Sequence, residues 1–149
     1  MVPVNVQTLI VSTAPAPSII VLQPVEDVTQ EGKFRIVPIW VGMNEATQMG
    51  IALEYARFSR PMTHDLFLDA LTNLDARIDH VVINLDARPS DALALAVRQK
   101  APLYIEESVL ERASFPYVLK RKGGDRIDER ELTEFRTFLE KIAPDDFEA

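Results

Sequence analysis

The chain of 149 residues contains no cysteine. That excludes a disulfide scaffold, a thiolate zinc site and a cysteine nucleophile. Only two histidines are present, so a single chain cannot build a three-histidine metal cage. Five scattered glycines offer no Gly-rich phosphate loop, and neither a GxSxG elbow nor an HExxH motif occurs. Basic charge is also short: 16 Lys+Arg stand against 23 Asp+Glu, a formal net charge of −7. Such a balance argues against coating nucleic acid by bulk charge, since proteins that do so are usually basic. Long apolar runs are missing as well. Ile19–Leu22 and Ala92–Val97 are far below the ~20 residues that span a bilayer. The start, Met1 to Ile10, has no basic region, and Asn5, Gln7 and Thr8 interrupt its apolar residues. It therefore lacks the pattern of a signal peptide, and a cytoplasmic protein with no membrane partner is expected.

What is present reads as an α+β chain, 47 % hydrophobic and 26 % charged, of a length that suits one domain. Val2–Val11, Ser18–Gln23 and Phe34–Val41 are rich in β-branched and apolar residues and predict three strands in an antiparallel meander. Pro38 inside the third points to an edge or a bulge, because proline cannot donate to a ladder. The period then becomes helical. Asn44–Arg57 carries Ala46, Met49, Leu53 and Ala56 at helical spacing, with Asn44 as the expected N-cap. A second helix, capped by Thr63 or His64, groups Leu66, Phe67, Ala70, Leu71 and Leu74 on one face. His80–Leu85 predicts a strand. Asp91–Gln99, capped by Ser90, is apolar nearly all round and predicts a buried helix. Pro102–Ile105 suits a short strand and Ser108–Ala113 a short helix. Val118–Arg126 suits a turn or hairpin tip, and Glu129–Ile142 an acidic helix. The expected architecture is an antiparallel or mixed sheet with several helices packed on it, plus a C-terminal helix. A core domain spans residues 1–113 and a tail 114–149.

Two clusters carry residues suited to chemistry. The first, Arg60-Pro61-Met62-Thr63-His64-Asp65, sets a cation, a hydroxyl, an imidazole and a carboxylate around a helix start. Helix starts favour anions, because unpaired N–H groups and the helix dipole point there. His64 is suited to proton transfer near neutral pH and Asp65 to its support, although plain helix capping explains the same residues. The second, Asp86-Ala87-Arg88-Pro89-Ser90-Asp91, leads directly into the buried helix. Arg88 has the fork that grips phosphate oxygens, with Ser90 beside it. Asp86 and Asp91 are suited to a divalent cation such as Mg²⁺. Here too capping and an Arg88–Asp86 pair are an alternative. Glu45 and Gln48 share one side of the first helix near its start and suit the same cleft or a solvated face. Trp40 suits packing, His80 the surface, and Lys120-Arg121-Lys122 a solvated loop tip.

Read in order, PIWVG (Pro38–Gly42), RPMTHDL (Arg60–Leu66), DARPSDALALA (Asp86–Ala96) and APLYI (Ala101–Ile105) resemble the bifunctional nuclease domain family. The resemblance covers roughly Met1 to Ala113, and DARPSDALALA is its most specific part. It implies an α+β domain that associates into homo-oligomers, and by extension from plant members a nuclease acting on RNA and DNA. The family's motif positions taken together with the chemistry of the two clusters make His64, Asp65, Asp86 and Asp91 the expected catalytic set. Arg88, Ser90, Arg60, Thr63, Glu45 and Gln48 contact substrate. One departure stands out: the family usually places a hairpin between a strand like His80–Ile83 and the DARPSDA segment, whereas Ile83 here runs directly into Asn84. A non-catalytic module binding a small anionic ligand or a partner protein is the competing expectation, and a structural oligomer whose motifs only cap helices is a third.

Overall fold

The architecture was derived from a computed structural model, which describes residues 1–13, 16–26, 34–56, 58–84, 89–117, 133, 134, 137, 138 and 141. In chain order these form β1 (Val2–Ile10), β2 (Ser18–Pro24), β3 (Phe34–Val41), α1 (Met43–Leu53), α2 (Thr63–Asn73), β4 (Val81–Ile83), α3 (Pro89–Gln99), β5 (Leu103–Ile105), α4 (Glu107–Ala113) and β6 (Phe115–Tyr117). The six strands make one mixed sheet in the order β4-β5-β1-β2-β3-β6. The expected meander is present, with β1–β2 and β2–β3 both antiparallel. β4 and β5 are parallel and joined through α3, so α3 is the crossover helix that a parallel pair requires.

The apolar residues of β2 and β3 serve both faces of the sheet. Ile20, Leu22, Val37 and Val41 join the helix-side core with Met49, Leu93, Ile105 and Leu110. Their neighbours Ile19, Val21 and Ile36 point the other way, where Trp40, Phe115 and Phe138 cover them. That two-sided burial follows from the period of two along a strand. It also explains the loose alternation of β1. Val2, Val4 and Val6 face the helix-side core, but so does Leu9, and Ile10 faces the opposite cluster. The register shifts between Val6 and Thr8. One extra residue there exchanges the two faces.

Pro38 is opposite Val21 of β2. β6 pairs only with residues Phe34 to Ile36, so Pro38 stands beyond its reach and costs no ladder bond there. β6 itself has no counterpart in the sequence expectations, because Phe-Pro-Tyr is too short and proline-interrupted to signal a strand. It follows residue 113 and completes the sheet.

The helices start and stop differently from the sequence expectation. α1 begins at Met43 with Gly42 as N-cap, not Asn44, and ends at Leu53, short of Arg57. α2 is capped by Met62 and not by Thr63 or His64. α3 begins at Pro89, a residue suited to the first helical position, so Ser90 lies inside the first turn and not at the cap. All three helices end without glycine. Tyr55, Asp75 and Lys100 adopt φ of 50°, 55° and 57°. The following amides of Ala56, Ala76 and Ala101 return to the carbonyls of Ile51, Leu71 and Ala96. These are Schellman ends, whose hydrogen bonds offset the left-handed conformation of a residue with a Cβ.

α1 buries Ala46, Met49 and Ala52 against the sheet and α3. α3 buries Ser90, Leu93, Ala94 and Ala96. α2 behaves otherwise. The only residue it buries is His64, and Leu66, Phe67 and Leu74 of its apolar set are exposed. Among the described residues no helix is long and apolar enough to cross a membrane. The expected tip at 118–126 lies outside the described residues, as does most of the expected C-terminal helix. Of that segment, Phe138 meets Phe115 edge-on at 6.3 Å between ring centroids.

Candidate functional site

Each of α1, α2 and α3 carries an acid as its third residue: Glu45, Asp65 and Asp91. Negative charge is favoured there by the free N–H groups and the dipole. The three acids are nevertheless used differently. Glu45 turns back over its own helix start, where a Cβ built on Gly42 would lie 2.5 Å from its Oε2. Glycine at the cap leaves room for that return.

Asp65 accepts a hydrogen bond at Oδ2 from the backbone N–H of Met62 at 3.2 Å, closing the start of α2. Its other oxygen, Oδ1, accepts from Nη1 of Arg98. The Arg98 side chain is only 7 % exposed, so Asp65 both caps one helix and neutralises a buried cation on the next.

Asp91 reaches across to α2. Its Oδ1 lies 3.3 Å from Nε2 of His64. An ionised carboxylate only accepts, so Nε2 carries the proton in this contact. The His64 side chain is 11 % exposed and that of Asp91 68 %. The pair therefore presents a carboxylate to solvent, backed by a buried imidazole. His64 Nδ1 is buried and has no partner among the described residues.

α2 is thus fastened to α3 by two neighbouring side chains of its first turn. His64 reaches Asp91 and Asp65 reaches Arg98. Asp91 and Arg98 are seven residues apart, about 10 Å along one helix face. Ser90 is buried beside Asp91, 7 % exposed. Gln48 places a buried Oε1 that has no partner among the described residues. Arg60 and Thr63 are exposed. Asp86 and Arg88 lie outside the described residues. Among the described residues no group of three or more His, Asp or Glu side chains is arranged to hold a metal ion. His80 is remote in character: its Nδ1 pairs with Asp79 Oδ2 at 2.7 Å on the surface, and its ring meets Tyr104 edge-on.

Arg98 is the residue that sequence reasoning missed. It was legible as a lone cation in the last turn of an otherwise apolar helix, a place where the dipole favours positive charge. Beside its pair with Asp65 lies a cleft of about 410 Å³. Tyr55, Phe58, Pro61 and Leu68 supply apolar walls, and Asp65, Asp69 and Arg98 supply polar ones. Arg98 Nε and Nη2 are buried with no partner among the described residues.

Comparison with known proteins adds the family. The bifunctional nuclease domain matches in two pieces, residues 28–85 and 83–117. The two matches overlap at residues 83–85, the place where a family hairpin is expected from the sequence to be missing. The chain is also similar to two uncharacterised proteins of Mycobacterium tuberculosis, from strains CDC 1551 and H37Rv. Each is 31 % identical over 147 residues, covering 85 % of this chain and 90 % of the relative. The segments that carry the resemblance fall on β3, the start of α2, the start of α3 and β5, and by sequence and by match the chain belongs to the bifunctional nuclease domain family.

Proposed function

We propose that this protein hydrolyses phosphodiester bonds of RNA or DNA, with Asp91 as the group that meets the reacting atoms and His64 as the residue that positions it. The observation that carries this reading is the pairing of a buried imidazole with a solvent-facing carboxylate at 3.3 Å, within the family's most specific segment. The His64 Nε2–H holds one carboxylate oxygen. The carboxylate takes a proton from the attacking water as the new P–O bond forms. The bond to the leaving oxygen breaks, and that oxygen takes up a proton from solvent. Asp65 and Arg98 act at one remove by fixing the first turn of α2, and hence the height of His64 over α3. Ser90 stiffens the turn beneath Asp91. Arg88 as a phosphate clamp, and a divalent cation on Asp86 and Asp91, belong to the same proposal. The membership in a nuclease family and the local, not global, basic charge support it.

The exposed Leu66, Phe67 and Leu74 on α2 support a homo-oligomer as the working form, since copies would cover that face. The direct test is an assay of the full chain on single-stranded RNA and DNA, with and without EDTA. Hydrolysis by the wild type and its loss in Asp91→Ala are expected. Equal activity of wild type and Asp91→Ala would overturn the assignment, and insensitivity to EDTA would remove the cation.

A further inference from the structure

The charges around the cleft beside Arg98 divide by element. Among the described residues the carboxylates that line it are Asp65 and Asp69, and both belong to α2. The cations belong to the α3 side. Arg98 lines the cleft, and Lys100, one residue past the end of α3, sets its Nζ 5.4 Å from the centroid of the Tyr55 ring in the cleft wall. With α2 in place these four charges balance. If α2 lifts, the acids leave with it and the bases stay.

The closed position of α2 carries a penalty. Arg98 gives Nη1 to Asp65, but its Nε and Nη2 are sealed from solvent with no partner among the described residues, as is Nδ1 of His64. Such atoms have given up water without gaining a hydrogen bond, which favours a movement that hydrates them. Little apolar burial opposes that movement, since His64 is the only residue that α2 buries. The chain on both sides of α2 is exposed, at residues 58–61 and 74–77. A helix of eleven residues is marginal in water without support, so lifting α2 also frays it.

We propose that α2 is a lid over a phosphate site built on Arg98 and Lys100. Lifting the lid bares the Nε–Nη2 edge of Arg98, whose two parallel N–H bonds suit two oxygens of one phosphate group. Asp65 no longer competes for the guanidinium, and Lys100 supplies a second positive charge. A phosphate group, with close to two negative charges near neutral pH, matches that pair. The closed form excludes it, because both nitrogens are covered and both carboxylates line the cleft. His64 travels with α2, so phosphate at Arg98 and the His64–Asp91 pair exclude one another. The site does not rest on the proposed hydrolysis. Where Asp91 acts in hydrolysis, filling the site inhibits it.

Inorganic phosphate tests the lid without any substrate. Hydrogen exchange of the full-length protein is followed by NMR in rising phosphate, with sodium chloride holding the ionic strength constant. Phosphate is expected to accelerate exchange along α2, residues 63–73, with a saturable dose dependence, and to leave the α3 amides unchanged. Asp65→Asn should loosen the lid about tenfold, and Asp69→Asn, at an exposed position, by a smaller factor. In each, apparent phosphate affinity should rise by the same factor as α2 opening in phosphate-free buffer, because only the open fraction binds. Lys100→Gln should weaken phosphate about threefold and leave that opening unchanged. A 5′-phosphorylated dinucleotide that reproduces the effect, where its unphosphorylated counterpart does not, marks a strand end as the source of the phosphate. A response to inorganic phosphate alone marks the free ion. Slowed or unchanged α2 exchange in phosphate overturns the proposal. So does an unchanged affinity in a variant whose α2 opens faster, and Asp69→Asn decides this alone if Asp65→Asn does not fold.

Discussion

α2 and α3 are both eleven residues long, yet they are held by different forces. α3 buries Leu93, Ala94 and Ala96 between the sheet and α1. α2 buries one residue, a histidine, and is pinned through two polar pairs at its first turn. Apolar burial is non-directional and spreads along a helix, whereas a hydrogen bond or ion pair holds one point at one geometry. The scaffold is therefore set by α3 and the site by α2. A helix fastened at one end can be exact where it is pinned and loosely packed elsewhere.

That contrast is breakable. The largest effect is expected from Leu93→Ala, at the fully buried Leu93 of α3: a loss of about 2–5 kcal/mol of stability in urea unfolding, with the whole fold weakened. Asp65→Ala should cost about 3 kcal/mol, because it leaves the Arg98 charge buried and uncompensated and removes the Met62 cap. Its signature is local: hydrogen exchange should accelerate along α2 while the amides of α3 keep their protection. Equal acceleration in both helices would erase the distinction drawn between them. In the wild type, α2 amides should already open at lower free energy than those of α3. Asp91→Ala should change stability by less than about 1 kcal/mol, because the carboxylate is mostly exposed and its pairing is screened. Loss of hydrolysis with the melting curve nearly unchanged is its expected result. Leu66→Asp, on the open face of α2, should alter stability by no more than about 0.5 kcal/mol. Sedimentation should then show a smaller particle than the wild type, and an unaltered particle would remove α2 from the subunit contact.

The strands and helices were mostly legible as elements because each carries its own period. β2 and β3 read as strands from their β-branched runs, and α3 as a buried helix from apolar residues on every side. Helix caps were misread. Asn44, Thr63, His64 and Ser90 are good capping residues by type, but Gly42 and Met62 hold the cap positions of α1 and α2, and α3 begins at Pro89. Acids at the third position stabilise these starts without a polar cap residue, so the local rule named the right turn and the wrong atom. The apolar set on α2 was read correctly as a set, but periodicity alone does not say whether such a face meets protein or water.

The site was half legible. His64 and Asp91 were named from the RPMTHDL and DARPSDALALA segments, and their contact joins residues 27 positions apart. No local pattern encodes that distance, and it exists because the first turn of α2 lies against α3 between Asp91 and Arg98. Arg98 was missed for the same reason, since a cation near a helix end has an ordinary local explanation until Asp65 arrives from another helix. The formal charge of −7 was also less informative as a total than by region. Residues 127–149 hold eight acids and three bases, so residues 1–126 are nearly balanced and leave room for a local phosphate site.

By itself the sequence determined most of the elements, the acids near three helix starts and the family, because all of these are written in periods and short motifs. The tertiary structure alone decided that Asp91 faces solvent with His64 behind it, that Asp65 belongs to Arg98, and that a cleft opens beside them. Those outcomes depend on how α2 sits against α3, and a spatial relation between segments that distant is set by the packing of the whole chain.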